Sequence, residues 1–197
     1  MSNTNAPYGL RAVNLVGGLP YAGSTRQFLI DPAGYASNIF NGQIVSVNAN
    51  GYLNVVTTTG ADAGGNIFPA GTVGVFVGCE YTNAQGQRIF GQYYPSGTTG
   101  DVRAYVVDDD RVVFQAQMDG QVTQAALGAN TFMAAAQSTS TGSTMNGNST
   151  SAVESTTVNT TAAFRIVGFA SPLTDTFTEV LVKFNPGYHA YSNAVGI

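Results

Sequence analysis

His189 and Cys79 belong to the residue types that most often act in catalysis or bind metals, and each is the single residue of its type. A relay or metal site at His189 would need carboxylates from elsewhere, because its neighbours Tyr188, Ala190 and Tyr191 provide none. We therefore predict a structural or surface histidine. Cys79 lies in an alternating apolar run and is predicted to be a small buried hydrophobic residue. The spacing of the two does not support a Cys–His catalytic pair.

Three consecutive aspartates, Asp108–Asp110, raise the question of a calcium site. Hard cations take about six or more oxygen ligands, and an EF-type loop alternates its ligands and ends in a distal glutamate. Successive side chains of an extended stretch point in opposite directions, so these three carboxylates cannot all converge on one ion. The run is better interpreted as an acidic turn.

Paired carboxylates for glycoside hydrolysis are the remaining chemical alternative, since sequence separation does not reveal the spatial gap that the mechanism requires. The chain has no tryptophan, no phosphate-binding loop, no dinucleotide fingerprint and no nucleophile elbow. We predict that the protein is not an enzyme and that it uses no cofactor and no metal ion. A hydrolase remains the alternative, and its candidate catalytic carboxylates are Glu80, Asp101, Asp119, Glu154 and Glu179.

Composition excludes several classes of partner. Charged residues are only 9% of the 197 residues, against about 25% in typical soluble domains. Seven basic and 11 acidic residues give a net charge of −4, so we expect no nucleic acid and no membrane surface as partner. A single cysteine excludes an intramolecular disulfide and a zinc site of several cysteines. Neither a signal peptide nor a membrane-spanning run is recognisable, so synthesis in a cytosol is expected.

The elements that would position these residues are predicted to be strands, because the apolar period is mostly two. In the run 72–80, the residues Val73, Val75, Val77 and Cys79 are expected to share one face. The run 177–184 alternates in the same way. There Val180, Val182 and Phe184 should oppose Glu179, Leu181 and Lys183.

The sharpest local prediction is a hairpin. Two strand runs, 43–47 and 52–56, flank Asn48-Ala49-Asn50-Gly51, where the Asn-Gly pair readily takes positive φ. Several more β-branched and aromatic runs are separated by turn residues. The fold class is therefore predicted to be all-β, an antiparallel β-barrel or sandwich that spans residues 26–197.

Two segments differ from this body. Residues 1–25 place glycines and prolines between single apolar residues, and we predict an extended N-terminal arm rather than a core strand. Residues 137–161 are rich in Ser, Thr, Gly and Asn and are predicted to form a surface excursion, either a loop or a hairpin. Part of that excursion should pair with a neighbour, since its Thr-rich end leads directly into the apolar run 163–169.

An ordered set of short motifs resembles the capsid decoration, or cement, proteins of tailed bacteriophages. No single motif is a catalytic signature, so the resemblance lies in their order and spacing over nearly the whole chain. The motifs are Asn5-Ala6-Pro7-Tyr8-Gly9-Leu10-Arg11, Gly18-Leu19-Pro20-Tyr21-Ala22-Gly23, Gly74-Val75-Phe76-Val77-Gly78-Cys79-Glu80-Tyr81, Gln92-Tyr93-Tyr94-Pro95, Ala104-Tyr105-Val106-Val107-Asp108-Asp109, Val113-Phe114, Arg165-Ile166-Val167-Gly168-Phe169 and Val182-Lys183-Phe184-Asn185.

The resemblance implies a structural virion protein that binds the outer surface of an assembled icosahedral capsid and bridges neighbouring subunits. Its expected partners are the major capsid protein and further copies of itself, as a homotrimer. The expected location is the outer capsid surface, after synthesis in the host cytoplasm. The chain departs from the family pattern at Pro186-Gly187-Tyr188, so no role is assigned to His189 or the C-terminal tail. The candidate interface residues of the arm are Pro7, Tyr8, Leu10, Arg11 and Val13.

A different virion protein is the alternative, namely a fibre or a receptor- or glycan-binding domain. Exposed aromatic rings would stack on sugars in such a domain, although tyrosines at this frequency are more often core or interface residues. The candidate rings are Tyr93, Tyr94, Tyr188 and Tyr191.

Overall fold

The computed structural model describes residues 3–61 and 66–197, which fold into an antiparallel β-sandwich with a small third sheet. In spatial order, the five-stranded sheet contains β1 (Arg11–Leu15), β10 (Val112–Gln117), β13 (Glu179–Phe184), β12 (Phe164–Phe169) and β11 (Asn130–Thr131). The six-stranded sheet contains β2 (Arg26–Leu29), β9 (Arg103–Val107), β6 (Thr72–Thr82), β4 (Ile44–Val47) and β5 (Leu53–Val55), with β7 (Arg88–Gly91) paired to β6. The small sheet pairs β3 (Ile39–Phe40) with β8 (Tyr93–Tyr94). The predicted all-β class and sandwich are thus confirmed, whereas the alternative of a closed barrel is wrong.

Helical structure is slight in the described ranges. Single 3-10 turns form at Gln124–Ala126 and at Ala190–Ser192. No helix among these residues has the length and apolar character needed to cross a membrane.

Two apolar cores divide the molecule into layers. The first core lies between the two large sheets and contains Ile44 and Val75 from one sheet with Phe114 and Phe184 from the other. The second core lies on the opposite face of the six-stranded sheet, where strands β3 and β8 and neighbouring loops cover it. The central strands β4 and β6 of the six-stranded sheet are therefore buried on both faces, whereas β2 and β7 at its edges have exposed residues. The five-stranded sheet is buried on one face.

Strand β13 and the hairpin follow the sequence prediction. Val180, Val182 and Phe184 are buried, and the residues between them are half-buried on the outer face. Strands β4 and β5 pair around the turn at Asn48, whose amide donates to the carbonyl of Tyr52 at 2.9 Å. These elements have one buried face or a purely local turn, which is why simple patterns identify them.

Strand β6 does not present one apolar face, so that prediction is wrong. Val75 and Val77 face the first core, whereas Val73 and Cys79 face the second. The reason is two register shifts, one against β4 at Val45/Ser46 and one against β9 at Phe76/Gly78. Each bulge inserts a residue into one strand and moves the following side chains to the other face.

Residues 3–25, the described part of the arm 1–25, are extended, as predicted, and they contain an edge strand of the sandwich that the sequence pattern did not indicate. Residues Arg11–Leu15 form β1, which pairs with β10 at the edge of the five-stranded sheet. Just before it, the Gly9 amide donates to the Ser151 carbonyl at 3.1 Å and the Leu10 amide to the Gly42 carbonyl at 2.9 Å. The segment is extended, but distant parts of the chain supply its hydrogen-bond partners, and local composition does not reveal them.

Residues 137–161 pair with neighbours as predicted but lie only partly on the surface. Val153 is fully buried and bridges to both Met118 and Met133. The buried Gln137 side chain donates to the carbonyls of Ile44 and Val56 and accepts from the Ile44 amide. A polar side chain with all these bonds joins the segment to the six-stranded sheet at little desolvation cost.

Candidate interface at the first strand

Hydrogen bonds hold the residues before β1 against the end of β10. The Gln117 side chain accepts from the Ala6 amide at 2.8 Å and donates to the Thr4 carbonyl at 3.1 Å. Gly9 approaches Gly42 so closely that a Cβ would lie 2.5 Å from its carbonyl oxygen, and its φ of +77° also requires glycine. This stretch is therefore built into the sandwich.

The five predicted interface residues are in three different environments. Leu10 is 1% exposed and belongs to the first core, so it is not available to a partner and that prediction is wrong. Pro7 and Tyr8 are half-buried. Arg11 and Val13 are exposed, and the Arg11 guanidinium lies 4.2 Å from the centre of the Tyr8 ring. Burial, reinforced by the charge of Glu179, raises the pKa of Tyr8 to about 12.

The turn that follows β1, residues 16–19, carries two exposed apolar side chains that are not among the predicted interface residues. Val16 is 46% exposed and Leu19 is 67% exposed. The backbone under them is fixed, because the Leu15 amide donates to the Leu19 carbonyl at 2.7 Å and the Val16 amide to the Arg111 carbonyl at 2.8 Å. The two glycines between them, with φ of +108° and +85°, make the tight reversal possible. In the sequence, the signal for this exposed turn is the pair Gly17-Gly18 between Val16 and Leu19.

His189 is a structural histidine, as predicted. It is 1% exposed, with its ring between Phe184 at 5.5 Å and Tyr191 at 5.2 Å between centroids. Nδ1 accepts a hydrogen bond from the Tyr191 amide at 3.3 Å. Burial lowers the pKa of His189, and the nearby carboxylates, Asp110 foremost, oppose that shift only in part.

Cys79 is a buried hydrophobic residue, also as predicted. It is 2% exposed within the second core, and its thiol lies 3.5 Å from the Tyr93 carbonyl oxygen. Burial raises the pKa of this thiol to about 12, which disfavours the thiolate that nucleophilic chemistry requires.

The aspartate run forms the predicted acidic turn between β9 and β10. The Asp109 carboxylate accepts from the Arg111 amide at 2.8 Å. Asp108 pairs with Arg26 at 2.8 Å and accepts from the Tyr191 hydroxyl at 2.9 Å. Across residues 3–61 and 66–197, no three His, Cys, Asp or Glu side chains are grouped so that they could hold a metal ion.

The carboxylates considered for hydrolysis are each engaged by a different group. Glu80 forms an ion pair with Arg88, and Asp101 lies 3.3 Å from Arg103. Three others accept hydrogen bonds, from the Ser155 amide to Asp119, from the Thr156 amide to Glu154 and from the Gln115 side chain to Glu179. The structure gives each of these acids a local structural contact.

The four tyrosines proposed for sugar stacking do not form a shared platform. Tyr94 and Tyr188 are 0% and 4% exposed, so the prediction that they are exposed is wrong. Tyr93 is half-buried and stacks on Phe40 with 5.7 Å between ring centroids. Tyr191 is 50% exposed, but its hydroxyl is bonded to Asp108 and Arg26.

Comparisons with protein-family models, with curated proteins and with solved structures find no match to this chain.

Proposed function

We propose that this protein is a structural component of a bacteriophage virion that binds the outer surface of the assembled capsid and bridges neighbouring capsid subunits. In this proposal it is made in the host cytoplasm and acts as a homotrimer with the major capsid protein as partner. The observation that carries the proposal is the fixed turn 16–19, which presents Val16 and Leu19 to solvent from the edge of a rigid sandwich. The motif resemblance supports the same function independently.

The physical mechanism is linkage. A protein that binds the assembled lattice, but not loose subunits, shifts the equilibrium toward the lattice by mass action. Contact with two subunits at once provides that selectivity. In a trimer, docking of one protomer places the other two at high effective concentration, so weak individual contacts give tight binding overall.

Cosedimentation with purified DNA-free shells of the phage that encodes the chain tests the proposal. We expect the wild-type protein to sediment with intact shells and to remain in the supernatant with dissociated capsid subunits. Failure to sediment with intact shells would show that the proposed function is wrong.

Point variants locate the anchor better than a deletion of residues 1–25, because that deletion would also remove β1 and Leu10 from the fold. Leu19→Asp should weaken binding to shells about tenfold or more, since a central apolar anchor becomes a charge. Val195→Asp is the matched control, because Val195 is also 67% exposed. Equal binding by both variants would exclude the turn as the anchor.

A further inference from the structure

The outer face of the five-stranded sheet contains a like-charge pair. Strands β12 and β13 place Arg165 directly opposite Lys183. Like charges opposite each other on one sheet face destabilise the sheet, and only 7 of the 197 residues are basic. Such a local conflict is typical of a functional surface, where a partner provides the compensation.

Contacts within the described chain do not neutralise this face. Arg165 donates to the Asn130 side chain at 3.2 Å, a neutral group, and neither Arg165 nor Lys183 forms an ion pair within residues 3–61 and 66–197. Arg11 adds a third cation on β1. The only acidic residue in the five strands is Glu179, which accepts from Gln115. The five strands therefore have an excess of positive charge in a chain whose net charge is −4.

An apolar groove lies beside these cations. It has a volume of about 220 Å³ and is lined by Val113, Val167 and Leu181 together with the start of the turn 16–19. Leu181 lies two residues from Lys183 on β13, and Val167 lies two residues from Arg165 on β12. The buried residues Val182 and Ile166 stand between them, so Leu181 and Val167 share the outer side of their strands with a cation. Val167 is 40% exposed.

We propose that this basic face, defined by Arg11, Arg165, Lys183 and the adjoining groove, docks an acidic protein surface that inserts one apolar side chain into the groove. The inference rests on the proposed function, in which that surface belongs to the capsid protein. Carboxylates of the partner would occupy the space between Arg165 and Lys183 and remove their mutual repulsion.

An acidic protein accounts for this face better than nucleic acid does. Binding to a phosphate backbone draws its affinity from many cations, whereas this face has three and includes Glu179. A phosphate backbone also provides no apolar side chain for the groove. Charge complementarity and the groove together therefore indicate a protein.

Binding of variants to shells is the first test. Arg165→Gln and Lys183→Gln should each weaken binding about fivefold or more, because each removes a charge from the contact. Arg103→Gln, which removes an exposed arginine from the six-stranded sheet, is the matched control and should bind within about twofold of wild type. If wild type binds and all three variants bind equally well, the docking face is wrong while the proposed function stands.

Variants of the groove test its share of the contact. Val167→Asp should weaken binding to shells about tenfold or more, whereas Leu29→Asp, at a residue 49% exposed on β2, should leave it within about twofold. Thermal unfolding of each variant shows whether it is folded. Equal loss of binding in the two folded variants would contradict the assignment to this groove.

A second probe decides the docking proposal even if wild type does not bind shells. The isotope-labelled full chain is titrated by NMR with the pentapeptide Glu-Asp-Leu-Asp-Glu, with its neutral counterpart Gln-Asn-Leu-Asn-Gln and with a short DNA duplex. We expect chemical-shift changes at Val113, Val167 and Leu181 with the acidic peptide only. No change with that peptide, or a larger change at the same amides with DNA, would overturn the proposal.

Discussion

The two large sheets differ in how they compensate their charges. Each arginine in the strands of the six-stranded sheet has an acidic partner, while the cations of the five-stranded sheet form no ion pair among the described residues. The central strands of the six-stranded sheet are covered on both faces, and the five-stranded sheet is covered on one. The chain itself therefore compensates the arginines of the six-stranded sheet, whereas the cations of the five-stranded sheet lack acidic partners among the described residues, which is the basis of our docking proposal. The three ion pairs are Arg26–Asp108, Arg88–Glu80 and Arg103–Asp101.

The largest expected difference between the sheets is at their bulge glycines. A Cβ on Gly74, at φ +137°, would lie 2.0 Å from the Val107 carbonyl oxygen in the doubly covered sheet. Gly74→Ala should therefore cost about 3 kcal/mol or more of the free energy of unfolding, measured by urea denaturation.

Gly168→Ala in the five-stranded sheet is the contrast to this variant. The nearest contact of the added Cβ would be the flexible Leu181 side chain at 3.3 Å, so we expect the free energy of unfolding to fall by less than about 1 kcal/mol. Similar costs for the two variants would show that the sheets do not differ in backbone constraint.

Removal of an ion pair should have an intermediate effect in the six-stranded sheet. In Arg88→Gln, Glu80 loses its partner while its side chain is only 7% exposed, so we expect a cost of about 1–2 kcal/mol. The exposure of Arg88, 59%, keeps the effect below that of a fully buried pair. Arg103→Gln breaks a pair with both side chains exposed and should cost below about 0.5 kcal/mol in the same denaturation experiment.

Acid should destabilise the six-stranded sheet through His189, which precedes the 3-10 turn that contacts β6. The ordinary pKa of a histidine side chain is 6.5, and burial lowers the pKa of His189 in the folded state. The unfolded chain therefore binds a proton first, and stability falls as the pH drops through 6.5 toward the folded-state pKa. Thermal midpoints from pH 7.5 to pH 5 should decrease more for wild type than for His189→Phe. Parallel decreases would exclude His189 as the source.

The smallest expected effect is an increase, not a decrease, in the free energy of unfolding. Lys183→Gln removes the repulsion with Arg165 and should raise the free energy of unfolding by about 0.3 kcal/mol. Replicate urea titrations against wild type measure it. A loss of stability would indicate that Lys183 has a compensating contact, which would weaken the contrast between the sheets.

The extent to which the sequence predicts this fold depends on how local each signal is. The alternation in β13 and the turn at Asn48 can be predicted from the sequence, because one buried face or a few adjacent residues determine them. Which side chains of β6 share a face cannot be predicted from the sequence, since bulges opposite Val45 and Val106 reverse the alternation. The burial of Leu10 depends on contacts with residues such as Gly42, far along the chain.

The candidate site is predictable only in part for the same reason. The sequence indicated the region of β1, and Arg11 and Val13 are indeed exposed there. The pairing of Arg165 with Lys183, however, follows from the register of two strands, which no spacing in the sequence reveals. The groove beside them likewise exists only after β1 and its turn are placed on the sheet.

The strand order has a consequence for how the chain folds. The strands of the six-stranded sheet all lie between residues 26 and 107, whereas the five-stranded sheet joins β1 to β10 and β10 to β13, whose last residue is Phe184. Contacts between distant residues form slowly because loop closure must precede them. Arg11 of β1 pairs with Gln115 of β10, whereas β6 and β9 pair over a much shorter stretch of chain, from Val75 to Val107. In pulse-labelling hydrogen exchange we therefore expect amides of β6 and β9 to be protected before those of β1. The edge formed by β1 and the turn 16–19 would then be the last part of the five-stranded sheet to form.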